Sequence, residues 1–145
     1  MIALLIGAGG CKNGESASDG SAVPPDLEII FGQQGTFAGR GMGYSIDANG
    51  NVVRWEGKYP GEVTEAEATI DSKQVRRLWR RAEDIEFLSM QDQAMATVYS
   101  FISVTAGGES RRVTWAERDA DAPTPAQEFF DECMETAREA LGENR

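Results

Sequence analysis

Between Leu27 and Trp55 two apolar runs with strand-like alternation enclose a stretch, Gly32 to Gly43, in which glycine recurs at positions 32, 35, 39, 41 and 43. Leu27, Ile29 and Phe31 fall on one face of the first run, Glu28 and Ile30 on the other, and Tyr44 and Ile46 resume the alternation after the glycines. Such a chain must place strand, glycine-rich connection and strand in succession. Glycine takes backbone angles that other residues enter only with strain, so the connection can bend sharply or lie against another backbone. Asp47-Ala48-Asn49-Gly50-Asn51 then admits two readings. Its acids and amides resemble the start of a calcium loop, but the D-x-[DN]-x-[DN]-G spacing is not met and no distal Glu closes it. Asn-Gly between alternating apolar runs is the stronger signal, for a hairpin turn. The third strand is therefore Val52 to Trp55, with an extension toward Tyr59.

Pro60-Gly61 turns the chain into a weaker strand, Glu62 to Ile70. A helix is expected from Asp71-Ser72, either of which can cap it, with Val75, Leu78, Trp79, Ala82 and Ile85 at helical spacing on one face. Arg76, Arg77, Arg80 and Arg81 lie off that stripe, either as a binding surface or as a solvated face paired with Glu83, Asp84 and Glu86; the second is the expectation. Phe87-Leu88 closes this region, and Ser89 to Ala96 reads as a polar loop. Thr97 to Ala106 and Ser110 to Trp115 form a hairpin about Gly107-Gly108. After an acidic loop, Glu117 to Asp121, Pro123-Thr124-Pro125 opens a second helix that buries Phe129, Phe130, Cys133, Met134, Ala137 and Leu141 and stops at Gly142. The order is strand meander, helix, hairpin, helix. It predicts an α+β fold with a single antiparallel sheet and both helices on one face.

Residues 1–11 form an apolar run with small residues before Cys11, similar to the lipobox of bacterial lipoproteins, in which the cysteine is lipidated. No Lys or Arg precedes the run, where a signal peptide has its charged n-region, so the true translation start is expected upstream. The alternative, a buried strand, is disfavoured by the polar stretch that follows. A run this short does not span a membrane as a helix, which takes about 20 apolar residues. Residues 12–26, rich in Gly, Ser and small polar residues, read as a linker that cannot bury enough surface to order itself. Residues 27–145 are left as one domain, long enough for a core without staples. The expected location is the bacterial cell envelope, on the periplasmic or extracellular side, with membrane contact only through lipid at Cys11.

The net charge of −10 opposes binding to nucleic acid, whose phosphates are neutralised by Lys and Arg, and to anionic membrane surfaces. Only Lys12, Lys58 and Lys73 are lysines. Acid-rich, lysine-poor surfaces suit concentrated salt, where self-repulsion is screened; an ordinary acidic protein is the equal alternative. With no histidine, a Ser-His-Asp triad, a Cys-His pair and histidine-bound zinc are all impossible. The cysteines, Cys11 and Cys133, have no metal-site partners, and Cys133 reads as a buried hydrophobe. Gly35 to Gly43 joins strand to strand and so lacks the helix N-terminus that stabilises phosphate. No enzyme, metal or cofactor is expected.

The order of strand, Gly35-Thr36-Phe37-Ala38-Gly39, second strand, a Val75-Leu78-Trp79 helix, the Tyr99–Phe101–Ile102 run, Gly107-Gly108 and Arg112-Val113-Thr114 resembles the emfourin family over roughly residues 27–141. These are small proteinaceous inhibitors of thermolysin-like metalloproteases with a Gly-Gly-Phe-Ala-Gly element after the first strand; Thr36 stands in place of its second glycine. The resemblance implies a protein partner, a secreted metalloprotease, met through Gly35, Phe37, Ala38 and Gly39. The alternative function is an envelope-associated lipoprotein domain without inhibitory activity. Phe37 itself either anchors its own loop on the sheet or enters a partner's pocket.

Overall fold

In the computed structural model, which describes residues 22–35, 39–91, 98–116 and 124–143, the alternating runs become strands β1 (Glu28–Gly35), β2 (Gly41–Asp47), β3 (Asn51–Gly57), β4 (Val63–Thr69), β5 (Val98–Ala106) and β6 (Glu109–Ala116). They build a single six-stranded sheet in the order β4-β3-β2-β1-β5-β6, antiparallel at every ladder. Helices α1 (Ser72–Asp84) and α2 (Pro125–Ala140) complete it, with a 3-10 turn at Phe87–Ser89. The expected α+β architecture is present, and both helices pack on one face. There Ile29, Phe31, Ile46, Val52, Ile102 and Val104 meet Val75 and Leu78 of α1 and Phe129, Cys133 and Ala137 of α2 in one buried cluster.

Local chemistry explains the boundaries. Asp71 and Thr124 each accept from the backbone N–H three residues on, while Gln74 and Gln127 bond back, so both helices start in complete capping boxes. In the β2–β3 turn Asp47 accepts from the Asn49 and Asn51 N–H groups and the Asn51 side chain at 2.9–3.0 Å. The turn is thus a hairpin, with the acid serving its own backbone. At α2's other end Gly142 (φ 71) and Glu143 donate to the Glu139 and Arg138 carbonyls. This is the Schellman pattern, which needs the left-handed angle that glycine takes without strain. Ahead of β1, residues read as the end of the linker carry structural contacts: Val23 packs on the core, and the Asp26 carboxylate accepts from Gly107 and Gly108. Those two N–H groups hold the Asp26 carboxyl below the usual carboxylate range.

Two expectations need correction. Most of the glycine-rich stretch is strand rather than connection, because β1 runs on to Gly35 and β2 begins at Gly41. The reason lies in the register. Gly32 faces Gly43 across β1–β2, Gly43 faces Trp55 of β3, and Gly32 faces Phe101 of β5. On the face away from the helices, two adjacent central strands thus lack side chains in one row. β3 and β5 lie about 14 Å apart, three ladder spacings, yet the rings of Trp55 and Phe101 lean in over the glycines to a centroid distance of 6.1 Å. The Arg112 guanidinium lies 4.1 Å from the Phe101 centroid, a cation–π contact. Trp55 is 1% exposed and its Nε1 has no hydrogen-bond partner among the described residues. Second, Arg77 and Arg81 are not simply paired within their own helix. Arg81 meets Glu128 at 3.3 Å and Glu132 at 3.6 Å, and Arg77 meets Glu132 at 3.8 Å, so they tie α1 to α2.

Candidate functional site

The antiparallel register gathers the connections at two ends of the sheet. The Asn49-Gly50 and Gly107-Gly108 turns lie at one end; the β1–β2 connection, the β3–β4 turn and the start of β5 lie at the other, here called the upper end. The sequence-derived site belongs there. Gly35 closes the β1–β2 hairpin by donating to the Arg40 carbonyl at 3.2 Å. Gly39 follows in a left-handed conformation (φ 62) beside the stem of Lys58. Phe37 and Ala38 lie outside the described residues, as do Cys11, the run 1–11, most of the linker, most of the polar loop before β5 and the acidic loop 117–121. The tip is coupled to its neighbour: the Gln34 side-chain amide donates to the Lys58 carbonyl at 3.2 Å. Lys58 N–H in turn bonds the Glu62 carboxylate across the β3–β4 turn.

Exposure singles out the same end. Among the described residues the exposed large hydrophobic side chains are Met42, Tyr59 and Val63. Tyr59 sits on the β3–β4 turn, Val63 starts β4, and Met42 is the second residue of β2. Among the described residues the lower end carries none.

A groove of about 660 Å³ opens beside Met42 on the helix side of the sheet. It opens where α2 crosses the sheet, packed against β1, β2, β3 and β5. Phe130 packs edge-on against Phe31 and Trp115, at 6.2 and 5.2 Å, while about 15 Å of further helix carries the C-terminus toward β2 and β3. There the Glu143 carboxylate accepts from Tyr44 Oη at 2.7 Å and pairs with Arg54 at 3.3 Å. The sheet above this crossing is left uncovered by α2. Its backbone at Gly32 and Gly43 lines the groove with Met42, Phe130 and Met134, and Asp131, Glu135 and Glu139 stand along the α2 side. Loss of solvation, and then the nearby Glu128, raise the Asp131 carboxyl above its ordinary range. Burial, followed by the bond to Glu143, raises the Tyr44 phenol, and Arg138 works against both.

The groove escapes a reading based on apolar periodicity, which sees only α2's buried stripe. One signal was available: Asp131, Glu135 and Glu139 recur at four-residue spacing and so share a flank of the helix. Among the described residues no three of His, Cys, Asp or Glu are grouped to hold a metal ion, and no helix is long and apolar enough to cross a membrane. Cys133 is fully buried, and burial pushes its thiol well above the usual range. No known protein-family model matches the chain, nor does any curated protein.

Proposed function

We propose that this chain is a non-enzymatic, exported binding module of the metalloprotease-inhibitor kind, meeting its partner with the upper end of the sheet. The observation that carries the reading is the confinement of Met42, Tyr59 and Val63, the exposed large apolar side chains among the described residues, to the end that bears the β1–β2 tip. Exposed aromatic and methionine side chains are favoured at recognition surfaces. Gly35 and Gly39 bracket the Phe37-Ala38 segment of that tip, and the resemblance to emfourins gives its partner as a thermolysin-like enzyme. Lipid at Cys11 would tether the module to the envelope through the residues before Val23.

Residual proteolysis by a panel of thermolysin-like enzymes, measured at increasing inhibitor, is the test. Inhibition by the intact chain is expected, with Phe37→Ala weakening it by a hot-spot increment of about 2 kcal/mol or more and leaving the urea midpoint in place. A stability loss of roughly 3–5 kcal/mol in the same variant identifies Phe37 as a core residue and retires it as a contact. Absence of inhibition across the panel leaves the envelope-lipoprotein reading. The anchor is checked separately: with a complete leader the protein should enter detergent, and Cys11→Ser should release it.

A further inference from the structure

The two flanks of α2 are treated differently by the rest of the protein. On the α1 side its acids are matched, Glu128 by Arg81 and Glu132 by Arg77 and Arg81. On the groove side Asp131 and Glu139 enter no ion pair among the described residues, and Glu135 adds a third carboxylate in the same row. Of the groove's arginines, Arg54 is engaged by Glu143, and Arg138 leans on the Tyr44 hydroxyl. The four carboxylates lining the groove therefore exceed its two guanidiniums. Across from the acids the surface changes character. Met42, 43% exposed, faces Phe130 and Met134 over the bare backbone of Gly32 and Gly43. Gly32 and Gly43 show the groove only their backbone, because the vacant side-chain positions lie on the sheet's other face beside Trp55 and Phe101.

An acid row along one wall and a methionine–phenylalanine strip along the other suit a segment whose side chains alternate cationic and apolar. Methionine conforms to varied apolar partners, and a lysine or arginine stem lies along apolar surface while its head reaches a carboxylate. We infer that the groove between α2 and the upper halves of β1–β3 is a docking site for an extended basic segment of a protein partner. The partner's lysine or arginine heads pair with Asp131 and Glu139, and its apolar side chains rest on Met42 and Met134. The site shares Met42 with the upper end but none of Gly35 to Gly39, so a chain that inhibits no protease would still bind such a segment.

The probe is a short labelled peptide alternating lysine with leucine, titrated with the full chain and followed by fluorescence anisotropy. Because a protein of charge −10 attracts any polycation, the comparison is between two variants of equal charge. Asp131→Asn with Glu139→Gln should weaken binding about tenfold, whereas Glu65→Gln with Glu67→Gln, on the exposed edge strand β4, should leave it nearly unchanged. A peptide alternating lysine with serine should bind more weakly than the leucine peptide, and Met42→Gln should remove that difference. Equal weakening in the two variants means diffuse attraction and overturns the proposal. So does an unchanged affinity in the groove variant. Concentration-dependent dimerisation that Met42→Gln abolishes would give the groove to a second copy, which also overturns it.

Discussion

Tyr44 is buried, and its hydroxyl, with Arg54, fastens the residue Glu143 just past α2's end to the sheet. The phenol's folded value is raised above its ordinary 10.0, first by burial and next by the acceptor Glu143. A raised value means that the folded state holds the proton more tightly. The contribution is therefore complete below pH 10 or so and is lost as pH climbs through the folded value. In protein carrying carbon-13 at the tyrosine rings, the Tyr44 resonance should titrate later than in the Glu143→Gln variant. An identical midpoint in the two would show that Glu143 has no hold on the phenol. Gly43 makes the opposite kind of demand, for absence. A methyl there would lie 2.8 Å from the Gly32 Cα and 2.9 Å from Trp55 Cζ2, and would overlap the Phe31 carbonyl oxygen. Two of these are backbone atoms of the adjacent central strand, which cannot step aside without breaking the ladder. Gly43→Ala should cost about 3 kcal/mol, the upper end for an overpacked site, read as a fall in the urea midpoint. A loss below 1 kcal/mol would mean that β1 and β2 slide apart easily, and that the ring contact across them is not what sets their spacing.

Helix α1 ends less comfortably than α2. Where α2 has Gly142, α1 has Glu86 in the left-handed region (φ 54), just after its C-cap Ile85. A side chain in that conformation is disfavoured by roughly 1–2 kcal/mol relative to glycine. Glu86→Gly should therefore stabilise the protein, by about 1 kcal/mol, raising the urea midpoint and leaving its slope alone. A drop instead would mean that the Glu86 side chain holds the 3-10 turn and Phe87 in place. At this scale much could be read beforehand. Alternation placed the strands, Asn49-Gly50 and Gly107-Gly108 marked the turns, and Asp71, Thr124 and Gly142 bounded the helices, because each signal acts within a few residues of itself. The glycine-rich stretch misled for the complementary reason. Gly32 and Gly43 are required by Trp55 and Phe101, which face them from strands β3 and β5, and nothing local distinguishes a glycine that turns from one that makes room. The groove was hidden likewise, since the angle at which α2 crosses the sheet follows from packing between distant segments. The arginines of α1 were legible as cations but not as partners of Glu128 and Glu132, which lie on a helix about fifty positions away.

For the molecule as a whole, 24 acidic against 14 basic residues leave repulsion spread over the surface. Screening reaches about 10 Å at 0.1 M salt and about 3 Å at 1 M, so closely spaced acids are relieved only in concentrated salt. The urea midpoint should rise between low and molar sodium chloride; a flat response would show that the acids are already balanced by their neighbours. The sheet order has another consequence, one of time. β1 to β4 are successive neighbours that can pair as each leaves the ribosome, but the other side of β1 waits for β5. Gly35 pairs with Val98 and Glu28 with Thr105, so every rung joins residues more than a third of the chain apart. Closing so large a loop precedes any reward from the contacts it makes, and such topologies fold slowly. Until then the meander is an unfinished sheet, with β1 offering a row of unpaired peptide groups to any strand that passes. The chain is most open to a foreign strand before its own fifth one arrives, and a chaperone or a translocation channel acting on it would have to act in that interval.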